Sequence, residues 1–235
     1  MILIKKVLIM QPMKILALDT STELCSVALW LDGEMLVREE LAGQRHSELL
    51  LPMVQELLIE AGLDLKALDG IAFGEGPGSF TGLRIGCGVA QGLAFGADLP
   101  VAGVCTLLAL AEASGASRVI ACLDARMGEV YHGIYEKTEG EWRTLNAPGL
   151  STPQQAPDVA GEYWIGCGNG FAVHGEILRS RYAGQLVEVM PDVLPHAAEI
   201  AVLGAAQFKR GFGKDAAEAA PLYIRNKVAL KTSER

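Results

Sequence analysis

The segment Gly74-Glu75-Gly76-Pro77-Gly78-Ser79-Phe80-Thr81-Gly82-Leu83-Arg84 joins a glycine-rich turn to two hydroxyls, between a strand-like apolar run and a helix-like one. Glycines let a backbone approach an anion closely, and a helix start offers unpaired N–H groups with a favourable dipole. The same residues also suit a tight structural connection, in which Gly78 is required if its φ is positive. A second candidate is the hairpin opened by Asp19-Thr20-Ser21, with Asp124-Ala125-Arg126-Met127-Gly128-Glu129 as its counterpart farther along. Asp19 and Asp124, facing one another across a cleft, could hold a Mg2+ through water. Alternatively, each aspartate ends its strand and accepts local N–H bonds. Bulky Arg126 and Met127 stand where a phosphate cradle wants glycine or small hydroxyl residues, which weighs against nucleotide chemistry. The candidate nucleotide-contacting residues are Asp19, Thr20, Ser21, Gly76, Gly78 and Ser79, and the expectation is a degenerate cleft in which the glycine turn is structural.

Other chemistries lack their parts. The histidines His46, His132, His174 and His196 are 22 or more residues apart, so no H-x-x-x-H pair can present two imidazoles to one metal ion. They read as surface or supporting residues rather than ligands. Gly78-Ser79-Phe80-Thr81-Gly82 is not a G-x-S-x-G nucleophile elbow, and no Walker A lysine or G-x-G-x-x-G fingerprint follows a glycine turn. The five cysteines, Cys25, Cys87, Cys105, Cys122 and Cys167, are scattered and odd in number, which fits free thiols in a reducing cytoplasm. A net charge of -8 argues against a chain that grips nucleic acid by its own field, so any RNA role needs a basic partner.

The elements that must position these residues follow from patterning. Residues 14–19, 26–31 and 35–41 read as strands, with Asp32-Gly33 as a hairpin turn between the second and third. Helices are expected at 47–62, 82–96 and 106–114, with strands at 71–73 and 101–104. Residues 1–12 read as an upstream start or an added extension, because the apolar residues precede Lys5 and Lys6 and no small-residue cleavage site follows. No uninterrupted apolar run reaches the length of a membrane-spanning helix.

The order then begins again. Leu18-Asp19-Thr20 and its following strand are echoed by Leu123-Asp124-Ala125 and 130–135, an offset of 124 minus 19, or 105 residues. The run Ile71 to Gly78, a strand ending in alternate glycines, is echoed by Tyr163 to Gly170. Two echoes in the same order indicate a duplicated α/β unit. The expected lobes are 13–115 and 116–195, with a C-terminal helix at 197–211 crossing back toward the first.

The helices of the first half carry more apolar surface than a sheet can cover. In 47–62 the aliphatics occupy more than one face, which implies burial on a second side. In 82–96 the glycines Gly88, Gly92 and Gly96 recur every four residues and want a close backbone approach, either from the sheet beneath or from a partner helix. The expected interface residues are Leu50, Met53, Val54, Leu57, Gly88 and Gly92.

A duplicated unit with three antiparallel strands, an aspartate ending each first strand and a later glycine turn resembles the actin and hexokinase superfamily, whose two lobes are RNase H-like. Within it, residues 13–226 resemble the bacterial TsaB (YeaZ) family. The resemblance is carried by 16–22 with 25–29, His46-Ser47-Glu48 with Leu51-Pro52, 76–84, 124–131 and Pro221-Leu222-Tyr223-Ile224-Arg225-Asn226. It implies a noncatalytic partner of the related subunit TsaD in attaching threonylcarbamoyl to the adenosine beside the anticodon of tRNAs reading codons that begin with A. It also implies association with the small ATPase TsaE, a homodimer when TsaD is absent, tRNA contact only within the complex, and ATP, ADP and metal on partner subunits alone. The alternative within the superfamily is an ATP-dependent small-molecule kinase.

Overall fold

The computed structural model describes residues 13–225; the 1–12 leader and Asn226 of the C-terminal motif lie outside the described residues. The first lobe opens with β1 (Lys14–Asp19), β2 (Leu24–Leu31) and β3 (Glu34–Leu41), a meander whose second turn has Asp32 and Gly33 both at positive φ. That geometry matches the twist of the flanking strands and explains the Asp-Gly pair. Helix α1 (His46–Ala61), β4 (Gly70–Gly76), α2 (Phe80–Ala97), β5 (Val101–Cys105) and α3 (Thr106–Ala113) follow. The sheet order is β3-β2-β1-β4-β5, antiparallel across the meander and parallel from β1 to β4 to β5.

The second lobe repeats this plan. Strands β6 (Arg118–Asp124), β7 (Val130–Thr138) and β8 (Glu141–Ser151) form a meander, then β9 (Trp164–Cys167), α4 (Gly170–Val173), α5 (Gly175–Arg181) and β10 (Leu186–Met190) complete its sheet, and α6 (Ala197–Lys209) follows. Its sheet runs β8-β7-β6-β9-β10, strand for strand the order of the first, with β6, β9 and β10 parallel. The expected duplication is thus present in the topology.

Central β1 is apolar on both faces because both are covered. Leu16 and Leu18 face a cluster with Leu50, Val54 and Leu57 of α1 and Cys87, Ala90 and Ala94 of α2. Ile15 and Ala17 face Ala197, Ile200, Ala201 and Ala205 of α6, which lies on the opposite face of the first sheet. Helix α3 crosses the other way: although 106–113 falls in the first half of the sequence, Leu107, Leu110 and Ala111 pack with Val119, Ala121 and Leu123 of the second sheet. Ala109 of α3 joins the α6 cluster, so the lobes meet through α3 and α6. Among the described residues no helix is long and apolar enough to cross a membrane.

Candidate functional site

Helix α2 starts at the glycine turn, with Ser79 as its N-cap accepting from the Gly82 N–H at 3.3 Å. The first hairpin leans directly on this start. The Ser79 N–H donates to the Ser21 carbonyl at 2.7 Å, and Thr20 Oγ1 donates to the Gly82 carbonyl at 2.7 Å. A Cβ at Gly78 would strike the Ser21 backbone, one at Gly82 would strike the Thr20 carbonyl, and one at Gly86 would lie 2.5 Å from Thr20 Oγ1. These glycines therefore exist so that residues 20–21 can lie against the helix. The Ser79 N–H is taken by the Ser21 carbonyl and the Gly82 N–H by the Ser79 hydroxyl, so two donors that an anion could use at this N-terminus are satisfied within the chain. Gly78 is constrained by that close approach and not by a positive φ; the turn's positive φ, 117°, belongs to Gly76.

Asp19, Thr20, Ser21, Gly76, Gly78 and Ser79 are thus brought together; Ser21, Gly78 and Ser79 border the cleft between the lobes, whereas Asp19 and Thr20 are buried behind them. Asp19 is 1% exposed, its Oδ2 accepts from the Ser21 hydroxyl at 2.9 Å, and its Oδ1 has no partner. Burial pushes its carboxyl up to about 7, against the opposing pull of the Ser21 hydroxyl and backbone N–H bonds and of His196. The alternative in which Asp19 and Asp124 face one another across a cleft does not fit, since Asp124 lines the cleft and Asp19 does not. A cleft of about 730 Å3 does lie between the lobes, lined by Ser21, Gly78, Phe80, Asp124, Arg126 and Arg225 among others, but Asp19 is sealed behind its rim.

The second lobe repeats the arrangement with different side chains. Gly168 and Gly170 lie against Cys122 of β6, where a Cβ would collide with it, and the Asn169 side chain accepts from the Asp124 N–H at 2.8 Å. Asp124 ends its strand as expected for a local cap, its Oδ1 accepting from the Arg126 N–H at 3.1 Å. Its carboxylate also lies 3.4 Å from both Arg126 Nη1 and His174 Nε2. Arg126, 88% exposed on its side chain, and Met127 stand at φ of 62° and 56° at the hairpin tip. A paired aspartate beside a guanidinium is poorly placed to hold a cation.

The histidines sit apart, and two are interior rather than at the surface. His46 is buried with Nε2 3.0 Å from the Thr22 carbonyl, and burial lowers the pKa of His132. His196 pairs with Glu39 at 2.7 Å over the edge of the first sheet. No group of three or more His, Cys, Asp or Glu side chains suited to a metal occurs among the described residues. The five cysteines are free, and burial raises the pKa of each.

The expected interface residues divide between two environments. Leu50, Met53, Val54 and Leu57 are buried in the core of their own lobe, so they cannot form an exposed contact. Their i, i+3, i+4, i+7 spacing is the core-facing stripe of α1; an all-round apolar helix does not reveal which stripe meets the sheet. The outer surface is made instead by Leu51, Pro52 and Ile59, the last 71% exposed. On α2 the sheet-facing alternative is excluded, because Gly88, Gly92 and Gly96 are exposed and a Cβ on any of them would meet nothing within 4 Å. Phe95, 77% exposed, flanks them. Periodicity located the glycine stripe but missed Ile59, Leu51 and Phe95.

Two repeated α/β lobes with hairpins meeting at a cleft make this a protein of the actin and hexokinase type. The model of a family described as TsaD, tRNA N6-adenosine threonylcarbamoyltransferase, matches residues 37–232. The chain is 40% identical over 228 residues to the tRNA threonylcarbamoyladenosine biosynthesis protein TsaB of Escherichia coli (strain K12), covering 93% of this chain and 97% of that protein. It is 39% identical to the protein of the same name from Haemophilus influenzae over 94% of this chain and 98% of the relative. The solved structure of YeaZ from Pseudomonas aeruginosa matches with a TM-score of 0.84 and 42% identity, over 90% of this chain and 100% of that one. The chain belongs to the TsaB (YeaZ) family.

Proposed function

We propose that this chain is a noncatalytic subunit in the biosynthesis of threonylcarbamoyladenosine in tRNA. In this reading it partners TsaD in modifying the adenosine beside the anticodon of tRNAs that read codons beginning with A. The observation that supports the noncatalytic part is the packing of the turn: the Thr20–Ser21 backbone lies against Gly78 and Gly82, and the Ser21 carbonyl takes the Ser79 N–H at the helix start where a phosphate would seek donors. ATP, ADP and any metal then act on partner subunits, TsaD and the ATPase TsaE, in the cytoplasm.

The contact surface is the outer face of α1 and α2. Exposed aliphatic and aromatic side chains beside a glycine stripe suit a helix that approaches closely, and the same face serves a second copy of the chain when TsaD is absent. tRNA is held only within the complex, in keeping with the charge of -8. The test is to assay ATP hydrolysis and tRNA threonylcarbamoylation with the chain alone, with TsaD, and with TsaD and TsaE. The reading requires no turnover by the chain alone and modification that depends on its presence with its partners. Phosphoryl transfer by the isolated chain would replace it with the kinase alternative.

A further inference from the structure

The C-terminal motif Pro221 to Arg225 has no part in the cradle or the α1–α2 face, yet it makes some of the longest-range contacts in the molecule. The chain reaches it along the first lobe. Lys214 pairs with Val101 on the edge of β5, Ala216 is buried against α2, and Gln91 Nε2 donates to the Ala216 carbonyl at 3.1 Å. The Leu222 N–H then donates to the Glu75 carbonyl at 2.6 Å, in the glycine turn itself. The Tyr223 hydroxyl accepts from Arg84 Nε at 2.9 Å, and its ring lies 5.5 Å from that of Phe80. Arg84 stacks over Phe80 with its guanidinium carbon 4.0 Å from the ring centroid, so one α2 side chain supports both aromatics.

Arg225 leaves the first lobe altogether. Its Nη2 donates to the Ala125 carbonyl at 2.9 Å and pairs with Glu129 at 2.7 Å, while Nη1 lies 3.3 Å from Met127 Sδ. It thereby braces the β6–β7 tip, where Arg126 and Met127 hold left-handed conformations that are costly for residues with a Cβ and need support from their surroundings. Leu222, bonded to the first lobe, and Arg225, bonded to the second, are only three positions apart in the chain. That length of chain reaches at most about 11 Å. Leu222, Tyr223 and Arg225 border the space between Phe80 and Tyr131 where the two lobes approach.

We infer that residues 221–225 form a strap that ties the two lobes together across the cleft and holds the 125–128 tip in place. The strap is a second attachment beside the α3–α6 contact. With both in place the lobes move as one body, and with the strap cut the cleft opens. The inference rests on these contacts and not on the proposed function.

The test places one spin label on each lobe of the full chain, through Lys66→Cys and Ser180→Cys, both at exposed positions. The native cysteines are buried or half-buried with raised pKa values, so they react slowly by comparison. Labelled protein is diluted with unlabelled protein so that only distances within one chain are read. Arg225→Ala and Tyr223→Ala are each expected to broaden the interlobe distance distribution and shift it outward. Arg225→Lys, which keeps the charge but not the forked donor, falls between Arg225→Ala and wild type. Because a strap cut at either end is already cut, the double variant opens less than the sum of the two single shifts. An unchanged distribution in folded Arg225→Ala, with faster hydrogen exchange confined to residues 125–128, would make Arg225 a local brace and overturn the inference. Strictly additive shifts would overturn it as well.

Discussion

Asp19→Asn isolates the most perturbed carboxylate of the site at almost constant shape. Asp19 is fully buried, accepts one side-chain hydrogen bond, from Ser21, and leaves Oδ1 unpartnered beside Gly74. Its pKa rises from 3.8 to about 7 on folding. The folded state therefore holds a proton that the unfolded chain releases, so the contribution to stability is full below pH 3.8 and is lost as pH rises through 7. Integrated between these two values, the loss is about 2.6 kcal/mol from pH 5 to pH 8 and about 4 kcal/mol in all, an upper bound if the site relaxes or admits water. Burial also shifts His132 down and Glu75 and Glu199 up, but these groups are common to both proteins. The difference between variant and wild type removes most of their effect. Urea unfolding of both proteins at pH 5, 6, 7 and 8 should show the variant gaining on wild type with each step, by roughly 2 to 3 kcal/mol over the series. A difference that stays flat with pH would refute the buried neutral acid, and a difference that shrinks would require Asp19 to be charged and paired.

Glycine substitutions separate inward from outward roles. Gly82→Ala drives a Cβ into the Thr20 carbonyl and should cost about 3 kcal/mol, whereas Gly92→Ala meets nothing and should stabilise the lone chain by about 1 kcal/mol, both read from urea midpoints. Calorimetry should find no ATP or ADP affinity tighter than about 100 μM in the isolated chain, because residues 20–21 pack against Gly78 and Gly82 and the Ser21 carbonyl takes the Ser79 N–H; tight binding that Gly78→Ala abolishes in a folded protein would give the turn a phosphate-binding role. In a mobility-shift assay at about 150 mM salt the isolated chain should leave tRNA unshifted at micromolar concentration, and a shift there would contradict the reading drawn from its charge.

Local signals were legible where one short segment determines the outcome. Asp32-Gly33 announced its hairpin, and the aspartates 105 residues apart announced two sheets with one strand order. The glycine turn was found, but its reason was not. Gly78 and Gly82 are required by the backbone of Thr20 and Ser21, some 60 residues earlier, and nothing in the local pattern encodes that meeting. Spacing does not separate the inward stripe of α1 from an interface, because Leu50, Val54 and Leu57 share it with any docking face; only the position of the sheet tells them from Leu51 and Ile59. Arg225 was visible as part of a motif, yet its partners Ala125 and Glu129 lie about a hundred residues away, beyond the reach of periodicity or turn chemistry.

The central claim is that this chain supports tRNA modification through the outer face of α1 and α2 and contributes no reacting group. The most direct measurement is the rate of tRNA threonylcarbamoylation by TsaD and TsaE supplied with wild type, Asp19→Asn or Gly92→Leu, each shown to be folded. Position 92 faces open space, so leucine there burdens an approaching helix and not the lobe beneath it. The account predicts wild-type rates with Asp19→Asn and loss of modification with Gly92→Leu. Loss with Asp19→Asn alongside full activity of Gly92→Leu would contradict it.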